Sequence, residues 1–517
     1  MKKKEKSLKK QTLTQETAKN SFYNMFSTII SRIGGLILTV ILARFLLPEL
    51  FGIYSLVLSI IAIALTFTNL GISTTLTRYV SEELGKKNKP KATRYIKYLF
   101  KFRIILSFFI IFLIIIFNKF ISNVIFQKPE VYFPLLFACF YLLMEVLFGF
   151  FKSLFSALKD FRAITILQFV SQTSRIIFVL IAVLLISPGH VVSGIFVSLG
   201  IGFLITCLIA FLIIDKKILF NKKSKKEKIN QKRILSYLGF VSIVSVSLTF
   251  FGSIDKLMLG RFVSSEYLGF YQAALSLVTS AAALLGFGGV LLPVFTQIHK
   301  KRLQRGFHKA FKYIVLLAIP GVFGLILVSR YFILAIYGKE YLTASIPLYA
   351  LSLMILINPL IAFYSSLFEA KEKPKLLAKL VSTSLIINIA LNYILIKYLL
   401  QFGQEYAILG AALATVLSRG FYLIALIVKT NKIEKLNTRF KEFFKPLIAS
   451  AVMALFLVSF PKIVDMNWIF GIIEIVIGIL IYFSTLYFLK GFEKTDIKVF
   501  KAIFTNKLKN IIKNKKL

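Results

Sequence analysis

Fourteen apolar runs, each about 18 residues or longer, alternate along this chain with short, basic connectors. They cover residues 21–46, 52–76, 98–117, 131–150, 163–186, 191–214, 234–255, 267–298, 311–329, 343–369, 376–397, 406–428, 444–462 and 467–489. An α-helix rises about 1.5 Å per residue, so about 20 apolar residues cross the roughly 30 Å of hydrocarbon in a bilayer. No water reaches backbone N–H and C=O groups there, and a helix lets a single run satisfy its own. The spacing predicts an all-α, polytopic membrane protein with 14 transmembrane helices.

The charges set an orientation. With the N-terminus in the cytoplasm, 53 of the 65 Lys and Arg residues fall on inner segments, including nine from Arg78 to Arg103 and nine in 216–233. Nine fall on outer segments: Arg44, Lys119, Lys128, Lys256, Arg261, Arg330, Lys339, Lys397 and Lys462. Three, Arg32, Arg175 and Arg419, lie inside spans. Basic charge concentrates on cytoplasmic loops, so both termini are expected inside a cell (plasma) membrane.

The same sorting removes the usual meaning of a net charge of +43. Lysines at membrane boundaries hold topology and attract anionic lipid headgroups, which leaves no nucleic-acid face. No cleavable signal is expected, because Lys2 to Lys10 precede a first run too long for one. Cys139 and Cys207 lie inside spans and read as small apolar packing residues. His190, His299 and His308 read as loop residues, and none has acidic or thiol neighbours at metal-ligand spacing. The connectors hold no phosphate-binding glycine loop, no H-E-x-x-H and no C-x-x-C. We expect no cofactor, no metal and no enzyme activity; what remains is a protein whose work is done inside the bilayer by helices.

The chain repeats itself. Residues 42–54 (LARFLLPELFGIY) and 259–271 (LGRFVSSEYLGFY) share six of 13 positions without a gap: Leu42/Leu259, Arg44/Arg261, Phe45/Phe262, Glu49/Glu266, Gly52/Gly269 and Tyr54/Tyr271. Ser153-Leu154-Phe155 is answered by Ser366-Leu367-Phe368. Six spans separate the copies, and an even number preserves direction, so the halves are parallel repeats about an axis along the membrane normal. The predicted units are a basic segment 1–20, a six-helix bundle 21–214, a linker 215–233 and a second bundle 234–429. Two extra helices (444–489) and a basic amphipathic tail (490–517) follow. Two bundles with a cleft between them form an alternating-access device.

Polar residues inside spans must face protein or water. Asn24, Thr28, Ser31 and Arg32 stripe span 1; Ser59, Thr66, Asn69 and Ser73 stripe span 2. Ser242, Ser245, Thr249 and Ser253 stripe span 7, and Gln272, Ser276 and Thr279 stripe span 8. These line the cleft or serve helix–helix packing. Arg32 and Arg175 lie mid-span, the latter after Gln168 and Gln172, and a charge at that depth costs at least about 2.5–3.5 kcal/mol. Glu145, a coupling or ion-pair candidate, can neutralise one of them and not both. A guanidinium facing a cavity suits an anionic substrate, phosphate above all. Arg419 reads as structural or as a snorkel toward the lipid boundary. Arg44, Glu49, Gly52, Tyr54 and their mates Arg261, Glu266, Gly269 and Tyr271 read as a structural motif fixing a tight turn that ends in glycine. Pro320-Gly321, Pro347 and Asn358-Pro359 mark kinks in spans 9 and 10.

On these residues the chain resembles a polysaccharide-type flippase of the multidrug/oligosaccharidyl-lipid/polysaccharide exporter superfamily. The resemblance runs over essentially all 517 residues. It rests on 42–56, its echo DKLMLGRFVSSEYLGFY at 255–271, YGKEY at 337–341 and LGAALAT at 409–415. The stretch SRIGG at 31–35 is also similar to the first helix of the lipid II flippase branch, whose matching arginine lies in the central cavity, so Arg32 inherits that role. The resemblance implies translocation of an oligosaccharide on a polyprenyl (pyro)phosphate from the cytoplasmic to the outer leaflet. The last two helices would form a groove for the lipid tail. The implied partners are that lipid-linked oligosaccharide, membrane lipids and other polysaccharide-assembly proteins. A multidrug or metabolite exporter of the same superfamily and a lipid scramblase stay open.

Overall fold

In the computed structural model the described residues are 2–491, apart from 220–226, 228, 230, 285–299, 372, 435, 437–438 and 463–467. The expected tail helix, nine of the 19 residues of the basic linker, the end of the eighth span and His299 lie outside them. Every one of the 14 apolar runs carries helix in its described part, and no strand occurs among the described residues. Nine helices there are long and apolar enough to cross a membrane, ten if the bent pair Lys339–Leu351 and Met354–Ala370 is one span. The chain is a multi-pass membrane protein.

The first helical stretch, Lys2–Asn69, breaks at Leu47, which takes φ 57°. Pro48 follows, and with its fixed φ and missing N–H it suits the first position of a new helix. We call 2–46 α1 and 48–69 α2. The first half continues with α3 (Ile72–Gly85), α4 (Lys89–Phe120), α5 (Tyr132–Ala157), α6 (Phe161–Leu185) and α7 (Val191–Ile213). The second half holds α8 (Gln231–Phe251), α9 (Ile254–Phe262), α10 (Ser265–Leu284), α11 (Lys300–Ile336), α12 (Ser345–Leu351), α13 (Met354–Ala370), α14 (Pro374–Leu400) and α15 (Gln404–Lys429). Two further helices, α16 (Phe444–Ser459) and α17 (Trp468–Phe488), pack on each other and on α11.

Several boundaries differ from the sequence reading, for local reasons. The turn of the repeat motif closes at Leu47–Pro48, so Gly52 lies inside a helix instead of ending the turn. Span 10 breaks between α12 and α13, bending by 45°, and Pro347 and Pro359 lie on either side of the break. Helix α11 runs through Pro320 without interruption. His308 sits in that helix, edge-on to Phe307, and not in a loop. Helix α4 starts nine residues before its apolar run, capped by Asn88, whose side chain accepts from the Lys91 N–H. Arg103, counted above with an inner connector although it falls within the run 98–117, lies well inside α4 and is buried.

Cys139 and Cys207 are free and buried. Changing both to alanine removes small apolar contacts and the weak thiol hydrogen bonds to the Leu135 and Met144 carbonyls. The double variant should accumulate in membranes at near-parental levels; a collapse in abundance on immunoblot would contradict this.

Candidate functional site

The two copies of the repeat motif meet each other. A β-carbon on Gly52 would overlap the Ser265 carbonyl, and one on Gly269 would overlap the Pro48 carbonyl. The two contacts are reciprocal, since Pro48 and Ser265 are also repeat mates, as expected at an isologous two-fold interface. Only glycine permits this approach of backbone to backbone. Around it, the Lys128 ammonium donates to the Val263 carbonyl (2.7 Å), and Ser265 Oγ donates to Glu130 (3.4 Å). The Tyr341 hydroxyl donates to the Ala43 carbonyl at 2.8 Å. Arg44 does not brace its own turn. Its Nε donates to the Ile336 carbonyl (2.6 Å) and its Nη2 to Ala335, where the C-terminus of α11 favours a cation. Tyr54 and Tyr271 point inward and are buried, whereas Glu49, Arg261 and Glu266 are exposed. We call this closed face the motif end.

Away from it, the polar stripes of the two halves touch. Ser55 Oγ donates to Gln272 Oε1 (3.0 Å), Thr66 to Thr249 (2.8 Å), and Ser242 to the Leu70 carbonyl (2.9 Å). The hydroxyl stripes of α2 and α8 are thus bonded across the seam between the halves. Asn69 bonds locally to the Ser73 N–H and hydroxyl, and Ser73 in turn accepts from Arg103.

On α1 the candidates divide. Arg32 is exposed and makes no hydrogen bond or ion pair with a described residue. Asn24 is likewise exposed, its carbonyl accepting from the Thr28 hydroxyl. Gln172 ties α6 to α1 instead, donating to the Ser31 carbonyl at 3.2 Å, with its stem against Gly34. Gln168 is buried on the same helix.

Arg175 faces the interior of the first half, its guanidinium 4.9 Å from the centre of the Phe203 ring. Glu145 shares that interior. Tyr141 donates to it, and Arg175 and Arg103 lie within electrostatic reach. The sequence reading weighed Glu145 between Arg32 and Arg175; the second cation near it is Arg103. Arg103 already lay inside the third apolar run, and counting it with the inner connector hid it from the list of charges within spans.

The second half holds a polar box that sequence reasoning did not assemble. Arg419 is not a lipid-facing snorkel. Its Nη1 donates to Asn358 Oδ1 (3.0 Å), its Nη2 to the Phe251 carbonyl (3.4 Å), and its guanidinium lies 5.0 Å from the Phe251 ring centre. Asp255, 3% exposed, accepts from the Tyr271 hydroxyl at 2.5 Å and sits within the field of Arg419.

Beside the second half lies an apolar cavity of about 520 Å³. Leu36 of α1, Leu277 of α10, Gly321 and Gly324 of α11, Met453 of α16 and Ile479 of α17 are among its walls. Tyr482 of α17 holds one wall in place by donating to the Leu316 carbonyl (2.6 Å).

Known proteins share this architecture. The lipid II flippase MurJ in an inward closed conformation superposes with a TM-score of 0.72 at 19% identity, over 90% of this chain and 98% of that one. The Vibrio cholerae MATE transporter VcmN in its bent form superposes with a TM-score of 0.55 at 14% identity, over 83% and 99%. By sequence the chain is similar to the probable low-salt glycan biosynthesis flippase Agl15 of Haloferax volcanii, 24% identical over 61% of this chain and 66% of that protein. It is also similar to the teichuronic acid biosynthesis protein TuaB of Bacillus subtilis, 26% identical over 39% and 42%. The chain thus matches less than two thirds of the length of either curated relative. The polysaccharide biosynthesis protein family matches residues 17–299, more than half of the chain, and with the fold this makes the chain a member of that family.

Proposed function

We propose that the chain is a flippase that moves an oligosaccharide linked to a polyprenyl (pyro)phosphate from the cytoplasmic to the outer leaflet, by alternating access and without a chemical step. Its family and its relatives in glycan and teichuronic acid biosynthesis support the substrate class. The observation that carries the reading is the pairing of Arg32 on α1, which bonds to no described residue, with an apolar cavity of about 520 Å³ walled in part by α16 and α17. A polyprenyl phosphate has these two needs, a cation for its headgroup and an apolar channel for its tail. A cationic drug has neither.

In this reading the first half (21–214) and the second half (234–429) rock about the motif contact, and α16 and α17 guide the tail. Arg32, with Asn24 and Gln272, meets the headgroup. Arg103, Arg175 and Glu145 form the charged interior of one half. The orientation follows from charge: both termini and the 215–233 linker face the cytoplasm, and the motif end faces out.

Two tests follow. In the cysteine-free protein, Gln401→Cys should react with a membrane-impermeant thiol reagent in intact cells, and Lys86→Cys should react only after lysis; the reverse order contradicts the orientation. Gly324→Trp, which fills the cavity where nothing now lies within 4 Å of a β-carbon, should slow export without loss of protein. The reading itself is tested by depleting the protein. Lipid-linked oligosaccharide should accumulate on the inner leaflet, and an unchanged pool would argue against it.

A further inference from the structure

Helix α8 ends at Phe251 and α9 begins at Ile254, so the helix of the seventh span is broken at Gly252–Ser253, near the outer end of its apolar run. At such a break the last carbonyls lose their helical partners, and an unmet one in hydrocarbon is costly. The Gly252 N–H still bonds back to Leu248 and Thr249, and the Ser253 N–H to Phe250, so the break is a tight, ordered corner. Arg419, from the uninterrupted helix α15, supplies a donor to the freed Phe251 carbonyl. The other arm of the same guanidinium holds Asn358, next to Pro359 and four residues beyond the start of α13, just past the 45° bend of the tenth span. One side chain thus spans two interrupted helices. Past the corner, Asp255 in the first turn of α9 accepts from the Tyr271 hydroxyl of α10, which ties α9 and α10 into one piece. That piece carries Ser265 and Gly269, the second-half side of the motif contact.

We propose that Arg419 is a positioning residue for gating: it pins the broken seventh span to the kinked tenth and so holds the α9–α10 corner against Pro48 at the motif end. A planar fork meets two acceptors in fixed directions, which an ammonium does not. Removing the pin leaves the corner free to swing, and the closed motif end gives way to the open one. The proposal concerns the gate and holds for any cargo, so it stands or falls apart from the flippase reading.

The test uses the full-length protein lacking Cys139 and Cys207, with Glu130→Cys and Ser265→Cys placed across the motif contact. A short bis-thiosulfonate should join the pair efficiently in the parent. Arg419→Lys and Arg419→Gln should each lower the cross-linking rate about tenfold, the effect of losing a hydrogen bond to a charged group. Asn358→Ala, which takes away the second anchor and leaves the charge, should lower it as well. If Arg419 variants fail to reach the membrane, Asn358→Ala alone decides, and an unchanged rate overturns the proposal. Asp255→Asn combined with Arg419→Gln removes both charges. If that pair restores parental cross-linking, Arg419 is only a counter-charge and the pin is wrong; a rate still depressed supports it.

Discussion

Cells that rely on this protein for glycan export should lose export when Arg32 is changed to alanine, with protein abundance near normal. The expectation comes from what Arg32 lacks. It is exposed on α1 and bonded to no described residue, so its removal breaks no structural contact there. Arg103, Arg175 and Arg419 are different, since each is packed into its own half. A headgroup (pyro)phosphate arriving beside Arg32 would gain a charge-assisted, bidentate contact, worth about 1.5–3 kcal/mol or roughly one to two decades of affinity. Arg32→Lys should keep the charge and lose the fork, restoring export in part. Surface glycan by lectin staining, read beside an immunoblot of membranes, distinguishes the outcomes. Normal export with Arg32→Ala, or a vanished protein, would contradict the headgroup role.

The second large effect is expected at the motif glycines. At Gly52 and Gly269 a β-carbon overlaps a carbonyl of the opposite half, and a carbonyl cannot rotate aside as a flexible side chain can. Gly269→Leu should therefore prevent the motif end from closing, and overpacking of this kind costs about 1–3 kcal/mol or more. Transport should fall to background, and the Glu130/Ser265 cysteine pair should cross-link at least about tenfold more slowly than in the parent. Gly52→Leu should match it, because the two contacts are reciprocal. An asymmetric result, one glycine tolerant and its mate not, would show that the repeat is not used symmetrically. Gly35, against which nothing lies within 4 Å, provides the control: Gly35→Ala should leave the cross-link unchanged.

Much of the fold was legible because hydropathy has the length scale of a bilayer. Fourteen runs about 20 residues long leave little choice of element, and the repeat at 42–54 and 259–271 identified the residues that meet across the halves. What the repeat did not carry was the partner. Gly52 read as a turn residue because glycine after a helix end is the common case, whereas here it is a window for a backbone 213 positions away. Arg44 read as a brace for its own turn, yet it reaches α11, a contact that no local pattern encodes. The buried charges were the hardest part. Arg103, inside the run 98–117, was hidden because it was counted with the basic connector before it. Asp255, Asn358 and Arg419 come from three spans and meet where the seventh span breaks after α8 and the tenth bends between α12 and α13. Hydropathy averages over a window and is blind to a two-residue break.

Movement of a phosphate-headed glycolipid across a bilayer can be followed with the purified chain. The most direct measurement places purified protein in liposomes loaded with a polyprenyl-pyrophosphate oligosaccharide. A membrane-impermeant glycosidase added outside then reports how much substrate has become accessible with time. The account predicts that the inner pool is consumed with the parent protein, that Arg32→Ala and Gly269→Leu remain at the level of empty liposomes, and that a phospholipid reporter in the same vesicles does not move. Equal movement of glycolipid and phospholipid, or substrate protection unchanged by the parent protein, would contradict it.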